Sequence, residues 1–160
     1  MLKKTKKEKV TKKTEKKPEY FQAVGRRKEA TCRARLYVVG NGNIKVGEKT
    51  LKPGDMLINN MPIEQFFSGE IYKKIYLEPF RTTNTMGRFA VSALSSGGGV
   101  HGQLGAFVHA VSRALQNADK EKFRPILKKK GLLTRDSRMK ERRKAGLAQS
   151  ARAKKQSPKR

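Results

Sequence analysis

The stretch that decides the fold is residues 97–115, GGGVHGQLGAFVHAVSRAL. After its glycines, large apolar side chains recur at intervals of three and four residues, which places them on one face of a helix. They are Leu104, Phe107, Val108, Val111 and Leu115. Gly105 and Ala114 flank this stripe and add little bulk. The pattern predicts a helix that lies close against a sheet.

The predicted sheet comes from stretches of alternating apolar and polar residues. Residues 30–38, ATCRARLYV, alternate with the period of two that is typical of a half-buried strand, and residues 88–94 predict another strand. Residues 40–43, GNGN, favour a turn, and the alternation resumes at residues 44–46. We therefore predict a hairpin that joins residues 30–38 to residues 44–46.

Two further helical regions are predicted. After Pro62, apolar residues at helical spacing predict one interrupted helix or two short ones, with Gly69 as the break. A last short helix is predicted over residues 123–130, before Gly131.

Positive charge is concentrated at the two ends of the chain. The 160 residues carry 39 Lys and Arg against 13 Asp and Glu, a formal charge of +26. Residues 1–17 hold nine Lys and two Glu, and residues 126–160 hold fourteen Lys and Arg and two acidic residues. Neither end has enough apolar side chains to form a core. We predict a disordered lysine-rich extension over residues 1–17, a globular domain over 18–130 and an extended basic arm over 131–160.

Composition excludes several classes of protein. Cys32 is the only cysteine, so an internal disulfide is impossible, and with two histidines it cannot complete a four-ligand zinc site unless carboxylates contribute. No run approaches the roughly 20 apolar residues of a membrane-spanning helix. Because so large a charge disfavours a compact state, we expect a polyanionic partner, first of all nucleic acid. An anionic membrane is the second candidate, but no segment clearly supplies the basic amphipathic helix that it would need, so we expect no membrane partner.

Residues 97–102, GGGVHG, formally match a dinucleotide-binding fingerprint, with Asp119 about twenty residues further on. The segment around Asp119 lacks the apolar strand that this fold requires, so we favour a tight turn whose helix N-terminus could receive an RNA phosphate.

Cys32 occupies an inward strand position, and His101 and His109 are two helical turns apart. No carboxylate pair is placed for acid–base chemistry. We predict neither an enzyme nor a bound cofactor.

The basic run Gly25-Arg26-Arg27-Lys28 precedes Arg33 and Arg35. If one strand runs through this region, Arg27, Arg33 and Arg35 project from the same face. Guanidinium groups on a rigid strand suit bidentate contact with phosphate. The alternative is a solvated face without a ligand.

Several spaced blocks of the sequence closely resemble small-subunit ribosomal protein nine in its bacterial or organellar form. The resemblance runs from about Tyr20 to Arg160. Its blocks are residues 23–28 (AVGRRK), 96–106 (SGGGVHGQLGA), 113–115 (RAL), 131–138 (GLLTRDSR) and 141–144 (ERRK).

The resemblance implies an α/β (α+β) fold, with a small four-stranded mixed sheet, helices packed on it and a left-handed β-α-β crossover. It also implies a structural constituent of the small subunit whose domain binds the head (3′ major domain) of ribosomal RNA, beside neighbouring head proteins. The C-terminal arm would reach the anticodon stem-loop of peptidyl-site tRNA through Lys159 and Arg160. We expect a protein of cytoplasmic or organellar ribosomes that is not a homo-oligomer. The alternative is a free protein that condenses nucleic acid non-specifically.

Contacts with ribosomal RNA are expected from the basic strand region, the glycine loop, the end of the last helix and the arm. The expected residues are Arg26, Arg27, Lys28, Arg33, Arg35, Gly98, Gly99, His101, Gln103, Lys128, Lys129, Lys130, Arg135, Arg138, Arg142, Arg143, Lys144 and Arg152. The tip departs from the family pattern, because it lacks an aromatic residue and has Pro158 before Lys159.

Overall fold

The structure is a computed structural model that describes residues 20–39, 42–47 and 49–156. The predicted extension over residues 1–17 lies outside the described residues, and so do Lys159 and Arg160. The strands are β1 (Tyr20–Arg27), β2 (Ala30–Val38), β3 (Ile44–Val46), β4 (Lys49–Leu51), β5 (Met56–Ile58), β6 (Met61–Pro62) and β7 (Phe89–Ser96). The helices are α1 (Ile63–Phe66), α2 (Glu70–Thr82), α3 (Val100–Ala118) and α4 (Lys120–Lys129).

The main sheet is mixed and has the strand order β1-β2-β7-β5-β6. β2 pairs antiparallel with β1 and with β7, whereas β5 runs parallel to β7. The α/β fold class is thereby confirmed. The sheet has five strands instead of four because β6, which has only two residues, adds to its edge. A strand this short leaves no periodic pattern in the sequence.

Helices α1 and α2 connect the parallel strands β5 and β7, so the predicted β-α-β unit is present. The hand of this crossover stays a prediction. The predicted break at Gly69 is confirmed, since α1 ends at Phe66 and α2 begins at Glu70. Gly69 has a φ of 123°, a conformation that favours glycine.

The predicted hairpin between residues 30–38 and 44–46 is wrong. Both edges of β2 are already occupied, by β1 on one side and β7 on the other. β3 pairs instead with β4 in a separate two-stranded sheet. The physical reason is that a turn signal predicts a reversal of the chain, but competition among strands for hydrogen-bonding edges decides which strands pair.

Two elements have different bounds from those predicted. β7 continues to Ser96, two residues past the predicted end. Helix α4 begins at Lys120, three residues before the predicted start, because the Asp119 side chain caps it. The Asp119 carboxylate accepts a hydrogen bond from the Lys122 backbone N–H at 3.1 Å.

The core lies between α3 and one face of the main sheet. The stripe residues Leu104, Phe107, Val111 and Leu115 are all buried, as predicted. Gly25 on β1 makes this close packing possible, since a Cβ there would overlap the backbone of α3 at Ala106 and Ala110. We therefore find the close helix–sheet contact that the small residues of α3 predicted. Cys32 is fully buried beneath α3, and burial raises the pKa of its thiol to about 12.

After α4, residues 130–156 contain neither a helix nor a strand. This part of the arm is irregular rather than straight, because residues 141–152 form a loop that is closed by an ion pair between Glu141 and Arg152. The Lys144 N–H donates to the Ser150 carbonyl across the same loop at 3.1 Å. Among the described residues, no helix is long and apolar enough to cross a membrane.

Candidate nucleic-acid interface

The structure changes which arginines share a face. The chain reverses at Lys28 and Glu29, where Lys28 has a φ of 52°, so this region forms two strands instead of one. Val24 pairs with Arg33, and Arg26 pairs with Thr31. Directly paired residues of an antiparallel ladder point to the same face.

Arg26 therefore shares a face with Arg33 and Arg35, and the prediction that Arg27 does so is wrong. The physical reason is that the turn at Lys28 and Glu29 inverts the parity of the alternation. Arg27 projects instead towards α3.

The sheet face opposite α3 is accessible around these arginines. We define the open sheet face as Arg26, Thr31, Arg33, Arg35, Leu94 and Ser96. Arg26 and Arg33 are exposed, and Leu94 keeps 48% of its surface exposed. The β3–β4 hairpin covers the other end of this face, where Tyr37 and Ala90 pack with Leu51. A shallow cavity of about 370 Å³ lies on the open part.

Arg35 is held in place on the open sheet face. Its Nε donates a hydrogen bond to Gln22 Oε1 at 3.0 Å. Its guanidinium carbon lies 5.0 Å from the centre of the Tyr20 ring, which is within cation–π range. Arg33 makes no ion pair with another described residue. This face thus combines one oriented guanidinium group with others that are available to a ligand.

Arg27 links the domain to the first residues of the arm. Its side chain lies over Gly105, where a Cβ would overlap it, and its guanidinium is 3.1 Å from the Asp136 carboxylate. Arg138 also contacts Asp136, at 2.8 Å from its side chain and 3.0 Å from its backbone N–H. The hydrogen bonds from Arg138 hold the pKa of Asp136 well below its usual range, and the Arg27 charge adds to this effect.

The outer edge of β1 is covered by polar side chains from one stripe of α3. The Arg26 N–H donates to His109 Nδ1 at 3.3 Å, Arg113 donates to the Val24 carbonyl, and Asn117 donates to the Gln22 carbonyl at 3.2 Å. An uncovered edge strand invites unwanted pairing with other chains. These three residues of α3, spaced four apart, satisfy the edge instead.

A second cavity, of about 240 Å³, lies beside this edge. Its lining residues are Val24, Arg26, His109, Arg113 and Arg135, and we call it the arginine pocket. Partial burial is the main cause that lowers the pKa of His109, and the charges of Arg113 and Arg135 lower it further, while a hydrogen bond with the Leu133 backbone acts in the opposite direction.

Sequence reasoning missed His109 and Arg113 as parts of a site. The available signal was the four-residue spacing of His109, Arg113 and Asn117 on the polar side of α3.

The glycine loop has a packing role. Gly97 and Gly98 have φ values of 74° and 60°, and both lie against the β1–β2 turn at Glu29 and Ala30. The Gln103 side chain donates to the Gly97 carbonyl at 3.2 Å and so is used to hold the loop. The tight turn that we favoured over a dinucleotide site is present.

The N-terminus of α3 remains a prediction as a phosphate site. Gly99 provides no side-chain cap, and the first turn contains no acidic residue. His101 is exposed and lies edge-on to Tyr72, with 5.6 Å between the ring centres. The part of the chain that the structure describes contains no cluster of His, Cys, Asp and Glu that could hold a metal ion.

The other predicted contacts lie at the β1–β2 turn, at the end of α4 and along the arm. Lys28, Lys128, Lys129, Lys130, Arg142, Arg143 and Lys144 are exposed. Arg152 is paired with Glu141 within the arm. The structure brings Arg26 and Arg135 together at the arginine pocket, whereas residues 142–144 lie in the separate loop of the arm.

Comparison with known proteins identifies the family. Residues 25–160 match the family model described as ribosomal protein S9/S16. The chain is 44% identical over 131 residues to small ribosomal subunit protein uS9 of Cutibacterium acnes. The aligned residues make up 82% of this chain and 68% of that protein. It is also 44% identical over 132 residues to uS9 of Saccharopolyspora erythraea, and these residues make up 82% of this chain and 77% of that protein. The chain therefore belongs to the ribosomal protein S9 family of bacterial type, and it is a structural, non-enzymatic component of the small ribosomal subunit in translation.

Proposed function

We propose that the open sheet face and the arm bind small-subunit ribosomal RNA in the head of the subunit, and that the tip of the arm contacts peptidyl-site tRNA. The observation that carries the first part is that helices cover only one face of the sheet. The opposite face presents Arg26, Arg33 and Arg35 beside Thr31, Ser96 and the half-exposed Leu94. Double-helical RNA is recognised mainly through its phosphates, 2′-hydroxyls and shape, and such a surface suits it.

The rigidity of this face supports binding to a folded RNA. Arg33 and Arg35 lie on a central strand that is paired on both sides. Side chains on such a strand keep their spacing, so less conformational entropy is lost on binding. Each phosphate that they neutralise releases counterions, which makes the affinity depend on salt.

The experiment compares two triple variants of the full chain. In one variant, Arg26, Arg33 and Arg35 are changed to Gln. In the control, the exposed residues Lys74, Lys120 and Arg124 of helices α2 and α4 are changed to Gln, which removes the same charge elsewhere. We expect the first variant to lower the slope of log affinity for small-subunit ribosomal RNA against log salt by about 2 to 3, and the control to lower it by less than 1. Equal losses in the two variants would refute the open sheet face as the binding surface.

The tRNA contact rests on the family resemblance at Lys159 and Arg160, which lie outside the described residues. Deleting these two residues should leave incorporation into small subunits almost unchanged, because the domain and the remaining arm provide the ribosomal RNA contacts. The deletion should weaken retention of peptidyl-site tRNA. Loss of incorporation, measured by sedimentation of assembled subunits, would contradict this assignment.

A further inference from the structure

The arginine pocket brings together positive side chains from three different elements. Arg26 comes from β1, Arg113 from α3 and Arg135 from the start of the arm. None of the three makes an ion pair with a carboxylate among the described residues. All three side chains are exposed, and like charges placed around one cavity raise the local positive potential, which favours an anion there.

Two carboxylates line a neighbouring cavity, and neither forms an ion pair with an arginine of the pocket. They are Glu78 and Asp136, and this cavity shares Arg26 and His109 with the pocket. Asp136 is already bonded to Arg27 and Arg138. Within the described part of the chain, the charge of the arginine pocket is therefore left to an external ligand.

Size and geometry favour one phosphate group over a larger ligand. The volume of about 240 Å³ lies below the roughly 300 to 1,000 Å³ of pockets for drug-sized molecules. The hydrogen bond from Arg113 to the Val24 carbonyl orients its guanidinium group. Planar guanidinium groups bind phosphate oxygens through paired N–H donors, so a fixed guanidinium is well suited to a phosphate.

We propose that the arginine pocket binds one phosphodiester of ribosomal RNA and thereby fixes the direction in which the arm leaves the domain. This inference rests on the proposed function and adds to it a specific site. A phosphate there bridges β1, α3 and the arm, because each contributes one arginine. Leu132 and Leu133, which pack on the core just before Arg135, keep the first residues of the arm close to that phosphate.

The test follows the two histidines of the full chain by NMR while inorganic phosphate replaces chloride at constant ionic strength. Phosphate should raise the pKa of His109, since it neutralises Arg113 and Arg135, whose charges contribute to lowering that pKa. Arg135→Gln should bind phosphate at the pocket about tenfold more weakly and abolish most of the His109 response, as expected for losing one charge-assisted contact. Any response of exposed His101 should be the same in both proteins. Arg135→Lys should restore part of the His109 response, and Arg124→Gln on α4 is the control of equal charge.

The same variants are then titrated with small-subunit ribosomal RNA. Arg135→Gln should lower the affinity about tenfold and the salt slope by about 1, whereas Arg124→Gln should change the slope by clearly less. A His109 signal that responds to inorganic phosphate but not to RNA would assign the pocket to free phosphate and overturn the proposal. Unchanged RNA affinity in Arg135→Gln and an unresponsive His109 would also overturn it, yet leave the proposed function standing. If the unaltered chain failed to bind ribosomal RNA, the proposed function itself would fail.

Discussion

The domain (residues 20–130) and the described arm (residues 131–156) both carry basic side chains, but they place them by different means. In the domain, Arg33 and Arg35 alternate with Ala34 and Leu36, which are fully buried, so packing sets their positions. In the arm no side chain is buried, and local ion pairs such as that between Glu141 and Arg152 shape the chain. The difference teaches that a core can hold charges in a defined pattern, whereas a core-less segment mainly supplies charge and reach.

The two regions meet at a small number of contacts. Leu132 and Leu133 pack on the core, and Asp136 bridges Arg27 and Arg138. Contacts at this junction are ion pairs open to solvent on one side and half-buried leucines, and ion pairs that reach solvent contribute little stability. Changes in the domain should therefore affect folding most, and changes in the arm should affect binding without affecting folding.

The largest expected effect on stability comes from Gly25→Ala. The new Cβ would overlap backbone atoms at Ala106 and Ala110 of α3, which cannot rotate away as a side chain could. We expect a loss of about 3 kcal/mol in the free energy of unfolding, as for severe overpacking, measured by urea denaturation.

Gly42→Ala is the matched control, because nothing lies within 4 Å of a Cβ at that position. Its unfolding midpoint should stay close to that of the unaltered chain. If both variants had the same midpoint, the close contact between β1 and α3 would not be a determinant of this fold.

The next effect separates binding from folding. Changing Arg142, Arg143 and Lys144 together to Gln should lower the salt slope of ribosomal RNA binding by about 2 to 3. The urea midpoint should not change, because all three side chains are exposed in the arm and none contacts the core. A shift of the midpoint would show that the arm takes part in the folding of the domain.

A smaller effect concerns pH and His109. Because the pKa of His109 is lower in the folded protein than its ordinary value of 6.5, the unfolded chain binds a proton more readily. His109 therefore costs no stability above pH 6.5, and stability falls as the pH drops from 6.5 towards the folded pKa. Melting temperatures in this interval should decrease more in the unaltered chain than in His109→Gln. Parallel curves for both would contradict a lowered pKa for the partly buried His109.

The smallest effect is expected at Asp136. The pKa of Asp136 is lower in the folded protein than its ordinary value. Its contribution to stability is therefore complete above the ordinary carboxyl pKa and is lost as the pH falls through the lower pKa of the folded state. Asp136→Asn removes the charge at all pH values. Hydrogen exchange of the Arg138 N–H should be about two- to fivefold faster in this variant, as expected for ion pairs that reach solvent, with a urea midpoint that falls only slightly. Unchanged exchange would mean that Asp136 does not hold the arm.

Much of the fold could be predicted where a pattern is local. The stripe of α3, the inward position of Cys32 and the break at Gly69 all follow from spacing along a single element. The partner of β3 could not be predicted this way, because it depends on which strand edges remain free after β2 pairs with β1 and β7.

The candidate site divides in the same manner. Arg33 and Arg35 share a face in any strand, whereas the position of Arg26 or Arg27 beside them depends on a turn of two residues. The arginine pocket joins three elements, and Arg26 lies more than 80 residues before the other two arginines in the chain. No local spacing indicates that Arg26, Arg113 and Arg135 meet.

The sequence by itself determined that this is a basic, family-typical chain with one small core and a core-less arm, because charge, apolar spacing and motif blocks are properties of neighbouring residues. Only the tertiary structure decided which arginines stand together, since strand pairing and helix docking join residues that are distant in the chain. Electrostatic sites depend on distances in space, and those distances are set when the core of α3 and the sheet closes.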